Sequence, residues 1–112
     1  MMRQSYTAVI ERNVTWQGEF ATEPYEAAWA SEAIFFLRAL SAADVPADAV
    51  ARVQLSPDGI RWCDEGTVVS LPAEAEGLAF ARVRHFGGWL RVAGRLPKGA
   101  QLTVIVALAL KE

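Results

Sequence analysis

The sequence predicts an all-β protein: a single-domain antiparallel β-sandwich, jelly-roll-like, with about eight strands and spanning residues 1–112. Three observations lead there. Apolar and polar residues alternate over short stretches along most of the chain, the period-two pattern of strands that see core on one side and water on the other. Glycine and proline turns cut those stretches at short intervals. The most apolar run, 102–110, is nine residues long, which suits a buried strand and falls far short of the roughly 20 residues of a membrane-spanning helix.

Residues 6–10 and 14–20 read as strands; in the second, Val14, Trp16, Gly18 and Phe20 share one face and Thr15, Gln17 and Glu19 the other. Residues 22–40 admit two readings. Tyr25, Trp29, Ala33, Phe36, Leu37 and Leu40 keep helical spacing with Thr22 as a cap, but Ile34 and Phe35 fall outside that stripe. A strand over 33–40 accommodates them all, with Ile34, Phe36 and Leu40 on one face and Phe35, Leu37 and Ala39 on the other, and is preferred. Residues 25–32 stay open between strand, helix and loop.

After a loop over 41–49, Val50, Arg52 and Gln54 alternate with Ala51, Val53 and Leu55. Ser56-Pro57-Asp58-Gly59 is the sharpest turn signal in the chain: Pro57 fixes φ at the first turn position, Asp58 suits the second, and Gly59 accepts a positive φ. A hairpin is predicted, with Ile60 and Trp62 opening the return strand, Glu65-Gly66 breaking it, and 67–71 resuming it before an acidic loop over 72–77. Ala79, Ala81, Val83 and His85 then alternate with Phe80, Arg82, Arg84 and Phe86, and Gly87-Gly88 predicts a second hairpin into 89–93. Leu96-Pro97-Lys98-Gly99 is a third turn. In the final strand Leu102, Val104, Val106, Leu108 and Leu110 share one face and Thr103, Ile105, Ala107 and Ala109 the other, so both sides avoid water.

Composition narrows the partners. A net charge of -2, from 11 basic and 13 acidic side chains, builds no field that would gather nucleic acid or an anionic membrane, so neither is expected. The start of the sequence offers no apolar stretch of the length a secretory signal needs, and the single cysteine, Cys63, allows no internal disulfide. The expected location is cytoplasmic, or on a particle. The hydrophobic share is 53%, and nine arginines stand against two lysines. Arginine is favoured at interfaces because its planar fork binds carboxylates and stacks on aromatics; a GC-rich genome would give the same bias.

No catalytic, metal or cofactor site is expected. Cys63 and His85 are the one thiol and the one imidazole, and neither lies in a catalytic motif. Zinc needs three or four Cys, His or carboxylate ligands at spacings this chain lacks. Asp58, Asp64 and Glu65 supply oxygen ligands near the hairpin, yet turn chemistry already accounts for Asp58. Gly87-Gly88 opens no helix and so forms no phosphate loop. The tryptophans Trp16, Trp29, Trp62 and Trp89 suit either a core or a stacking platform. Trp62 and Trp89 lie in predicted hairpin arms; Trp16 and Trp29, near Gln17, Glu19, Glu26 and Glu32, join Phe35 and Arg38 as candidate interface or ligand-stacking residues, while Ser56, Pro57, Asp58 and Gly59 are structural.

The stretch Gln54-Leu55-Ser56-Pro57-Asp58-Gly59-Ile60-Arg61-Trp62 resembles the SPDGxxW hairpin of small β-sandwich domains in phage virion and other bacterial structural or surface proteins. Residues 86–92 and the terminal apolar strand are similar in style, so the likeness covers 50–112. It implies a jelly-roll-like sandwich used for packing and assembly, with no active site to carry over. The expectation is a non-enzymatic structural subunit that associates with copies of itself, and with other structural proteins, in a phage-like virion or capsid-like bacterial shell. The alternative is a carbohydrate- or other ligand-binding module that stacks its ligand on Trp16 or Trp29.

Overall fold

The computed structural model describes residues 3–112; Met1 and Met2, which begin the predicted domain span, lie outside them. The described residues form nine strands: β1 (Ser5–Trp16), β2 (Glu19–Ala21), β3 (Tyr25–Glu26), β4 (Glu32–Ala43), β5 (Val50–Ser56), β6 (Cys63–Ser70), β7 (Leu78–Arg84), β8 (Trp89–Arg95) and β9 (Gln101–Lys111). One antiparallel sheet runs β1-β9-β4-β7 and the other β2-β8-β5-β6, with β3 beside β2 on the same edge of β8. The chain changes sheet at every connection except β2–β3 and β5–β6. With β2 and β3 counted as halves of one interrupted strand, this is the eight-strand jelly roll that the sequence predicts.

The core lies where the inner faces meet. From β9 come Leu102, Val104, Val106, Leu108 and Leu110, and from β4 come Ala33, Phe35, Leu37 and Ala39, all buried. The second sheet answers with Ala51 and Val53 of β5 and Leu90 and Val92 of β8. Strict alternation on the central strands fixes their register, because a one-residue slip would turn each of these side chains to the outside. The shortest dimension, 20 Å, is that of two sheets stacked about 10 Å apart plus their outer side chains.

Several sequence expectations are corrected. Residues 6–10 and 14–16 belong to one strand, which bends at two bulges near Val9/Glu11 and Arg12/Val14, with Asn13 at φ 58°. That strand ends at Trp16; Gly18, at φ 63°, turns the chain into the other sheet, where Phe20 lies. The helical alternative for 22–40 is absent: Tyr25–Glu26 is a short strand, a turn follows, and the strand predicted over 33–40 extends to Glu32–Ala43. Gly87-Gly88 makes no hairpin, since β7 and β8 lie in different sheets. A glycine turn says that a chain reverses, but not whether the next strand pairs with the last or stacks across the core. The return strand after the SPDG turn begins at Cys63, leaving Ile60, which is exposed, and Trp62 in the loop before it, and Glu65-Gly66 is a bulge within β6.

Candidate interaction surface

The two outer faces of the sandwich differ in chemistry, and this difference locates the candidate site. Side chains directly opposite one another in paired strands project from the same face. On the β2-β8-β5-β6 sheet the outer face is mixed: Val50 and Val68 are exposed there, but they are single valines among polar and charged side chains. Arg52 pairs with Asp64 at 3.1 Å, Gln54 donates to the same carboxylate at 3.0 Å, and Arg91 Nε donates to Gln54 Oε1 at 2.8 Å. The Arg91 guanidinium also lies 4.3 Å from the centre of the Trp62 ring, and its partial burial there pulls its pKa below the ordinary value. Arg95 pairs with Glu19. A shallow trough of about 540 Å³ runs over Ala21, Ala93 and Gly94 between these groups, and each arginine along it already has a partner.

The β1-β9-β4-β7 sheet is different. Its middle outer row reads Val9, Ala107, Phe36 and Phe80 across all four strands. The row on one side is Arg12, Ile105, Arg38 and Leu78, and on the other Thr7, Ala109, Ile34 and Arg82. Val9 is 45% exposed, Phe80 52% and Leu78 66%, so an apolar band faces away from the core. Phe36 and Phe80 lie 6.4 Å apart, centre to centre, and the Arg82 guanidinium sits 5.0 Å from the Phe80 ring. The rim is charged and partly paired: Arg38 meets Glu76 at 3.3 Å and Arg84 meets Glu32 at 3.3 Å. Exposed pairs of this kind contribute about 0–1 kcal/mol, so they shape the rim more than they stabilise it.

Of the residues singled out from the sequence, Arg38 belongs to this face. Phe35 does not: it points inward from β4 and is fully buried, so it can serve neither an interface nor a ligand. Trp16 is corrected likewise. It lies at the inner end of β1, 3% exposed, with its ring stacked 4.1 Å from that of Phe20, and its polar neighbours point away from it along the alternating strand. Trp29 is 39% exposed on the turn between β3 and β4, apart from the apolar band. Val9, Phe36, Leu78, Phe80 and Ile105 were not singled out. A usable signal was present in β7, where the bulkiest apolar residue, Phe80, shares a face with Arg82 and Arg84 while alanines and Val83 occupy the other.

The SPDG turn is held together by its own side chains. Ser56, fully buried, accepts hydrogen bonds at its Oγ from the Asp58 and Gly59 amides at 3.2 and 2.8 Å and donates to Asp58 Oδ1 at 3.0 Å. Asp58 Oδ1 accepts from the amides of Ile60 and Arg61, each at 2.9 Å. Gly59 takes φ 78°, and an added Cβ would stand 3.2 Å from the Trp89 indole, so both backbone and space call for glycine. The Arg61 and Ile60 amides, with smaller help from the Ser56 hydroxyl and the Arg61 guanidinium, hold the Asp58 carboxyl at about 2, down from an ordinary 3.8. A depressed carboxyl supports the fold fully above its unfolded value and loses that support as pH falls through its folded value. The amide resonances of Ile60 and Arg61 should therefore titrate with a midpoint near 2, and Asp58→Asn should remove the titration; a midpoint near 4 would mean the carboxyl is not engaged.

Among the described residues no group of three metal-ligating side chains comes together, and no helix is long and apolar enough to cross a membrane. The protein is thus a jelly-roll β-sandwich whose two outer faces differ, one laced with polar pairs and one carrying a continuous apolar row. No family model matches the chain, and no curated protein matches it.

Proposed function

We propose that this chain is a structural subunit that assembles with copies of itself through the outer face of the β1-β9-β4-β7 sheet. One observation carries the reading: Val9, Ala107, Phe36 and Phe80 form a continuous row across that sheet, flanked by Ile105, Ile34 and Leu78, on the side turned away from the core. An apolar patch with a polar rim is the usual mark of a surface that another molecule covers. Four strands about 4.8 Å apart and five rows of side chains about 7 Å apart give a face of roughly 600 Å². Two such faces together reach about 1,200 Å², the lower bound for a specific interface. The resemblance of the SPDGxxW hairpin to virion and shell proteins points the same way, toward a phage-like or capsid-like particle. Of the two tryptophans of the sugar-stacking alternative, Trp16 is buried, which leaves it Trp29 alone, 39% exposed on the turn between β3 and β4.

Sedimentation velocity tests this. The wild-type chain, 12.2 kDa as a monomer, should sediment as a larger species, and Leu78→Lys with Phe80→Lys, which charges the apolar face, should return it to monomer with unchanged circular dichroism. Wild-type protein that stays monomeric at about 100 µM, where specific contacts are populated, would overturn the proposal.

A further inference from the structure

We infer that β7 is the edge through which two copies first join, by antiparallel pairing of β7 with β7 of a second copy about a two-fold axis at Ala81. The inference rests on the self-association reading and adds an edge contact distinct from the face contact proposed above. The sandwich has four sheet edges, and an unpaired strand edge is a template for another chain unless something blunts it. Three of the four are blunted. β1 is broken by two bulges and by Asn13 at φ 58°. β6 carries a bulge with Gly66 at φ 115°. The β2–β3 edge consists of three- and two-residue strands separated by Pro24, which has no amide hydrogen to offer.

β7 has none of these devices. It pairs with β4 in unbroken register over seven residues, from Leu78 opposite Arg38 to Arg84 opposite Glu32, and among the described residues no strand hydrogen-bonds to its other side. Its sequence, LAFARVR, holds no proline, glycine or lysine. Its arginines are the one feature that could repel a copy, and the register decides whether they do. Full overlap of the strand places Leu78 opposite Arg84 of the second copy, Phe80 opposite Arg82, and Ala81 opposite Ala81. Every arginine then faces an apolar residue and none faces another arginine. The Arg82–Phe80 contact within one chain, 5.0 Å to the ring centre, gains an intermolecular counterpart. A shift of the axis by one residue toward the C-terminus sets Arg82 against Arg82, with like charges directly opposed, and shortens the overlap. The favoured pairing makes one eight-stranded sheet and joins the two apolar outer faces side by side.

Cysteine cross-linking tests the register. In a Cys63→Ser background, which removes the exposed native thiol, Phe80→Cys and Arg82→Cys chains are co-expressed and oxidised. Directly opposite residues have Cα atoms about 4.5 or 5.5 Å apart, within disulfide range. Position 80 and its own copy in the second chain are diagonal neighbours instead, about 7–8 Å apart and out of range. The expected result is a covalent dimer that forms when both variants are present and not with either alone, with the same behaviour from a Leu78→Cys and Arg84→Cys pair that leaves Phe80 in place. Species larger than monomer without either cross-link would overturn the β7 pairing and leave self-association standing. Monomer throughout would overturn both.

Discussion

Phe35→Ala is expected to lower the unfolding free energy by about 3–5 kcal/mol, a large share of the roughly 5–15 kcal/mol that holds a domain of this size together. Phe35 sits on the central strand β4, fully buried, between the flanking strands β9 and β7, with Leu108 and Ala81 directly opposite it and also buried. Truncation leaves a cavity that close-packed strands on both sides cannot collapse to fill. Phe36→Ala, one residue along, should behave in the opposite way: about 1 kcal/mol or less in stability, with a marked loss of self-association, because its ring lies on the outer face beside Phe80. Urea unfolding and sedimentation of the two variants separate the effects. The reverse pattern would mean that β4 is paired one residue out of register, since only a slip exchanges its faces.

Much of this fold was readable from residue order because its central strands obey a strict rule. The alternation in 102–110 and 33–40 predicts both strands and their faces, and Gly59 and Asp58 predict the turn that the structure contains. The misreadings share one cause: local pattern carries no information about which strand lies beside which. The Gly87-Gly88 turn joins two sheets, and the bulges in β1 hide a continuous strand behind an apparent break. The candidate surface suffered most. Apolar residues on both faces of β4 and β9 say that both faces meet something; which face meets the core and which meets solvent emerges only from the pairing of four strands far apart in sequence. Trp16 reads as partly exposed because its neighbours along the chain are polar, whereas its neighbours in space are Phe20 and the core.

Trp16→Ala is the second substitution with a large expected cost, about 3–5 kcal/mol, and it should act through a three-residue stack that closes one corner of the sandwich. The Trp16 ring lies nearly parallel to that of Phe20, at 12°, and Phe20 in turn lies over Gly94, its partner on β8. A Cβ at Gly94 would come within 2.7 Å of the Phe20 ring and 3.1 Å of the Val50 carbonyl oxygen. Gly94→Ala should therefore cost about 1–3 kcal/mol from overpacking, since Phe20 is pinned by Trp16 and cannot swing away. If that account is right, the two substitutions are not additive: in a Trp16→Ala background Phe20 is free to move, and the cost of Gly94→Ala should shrink by about 0.5 kcal/mol or more. Trp29→Ala, at the exposed turn, should change stability little. Denaturation of the single and double variants gives the coupling directly, and strict additivity would show that Phe20 does not transmit strain between Gly94 and Trp16.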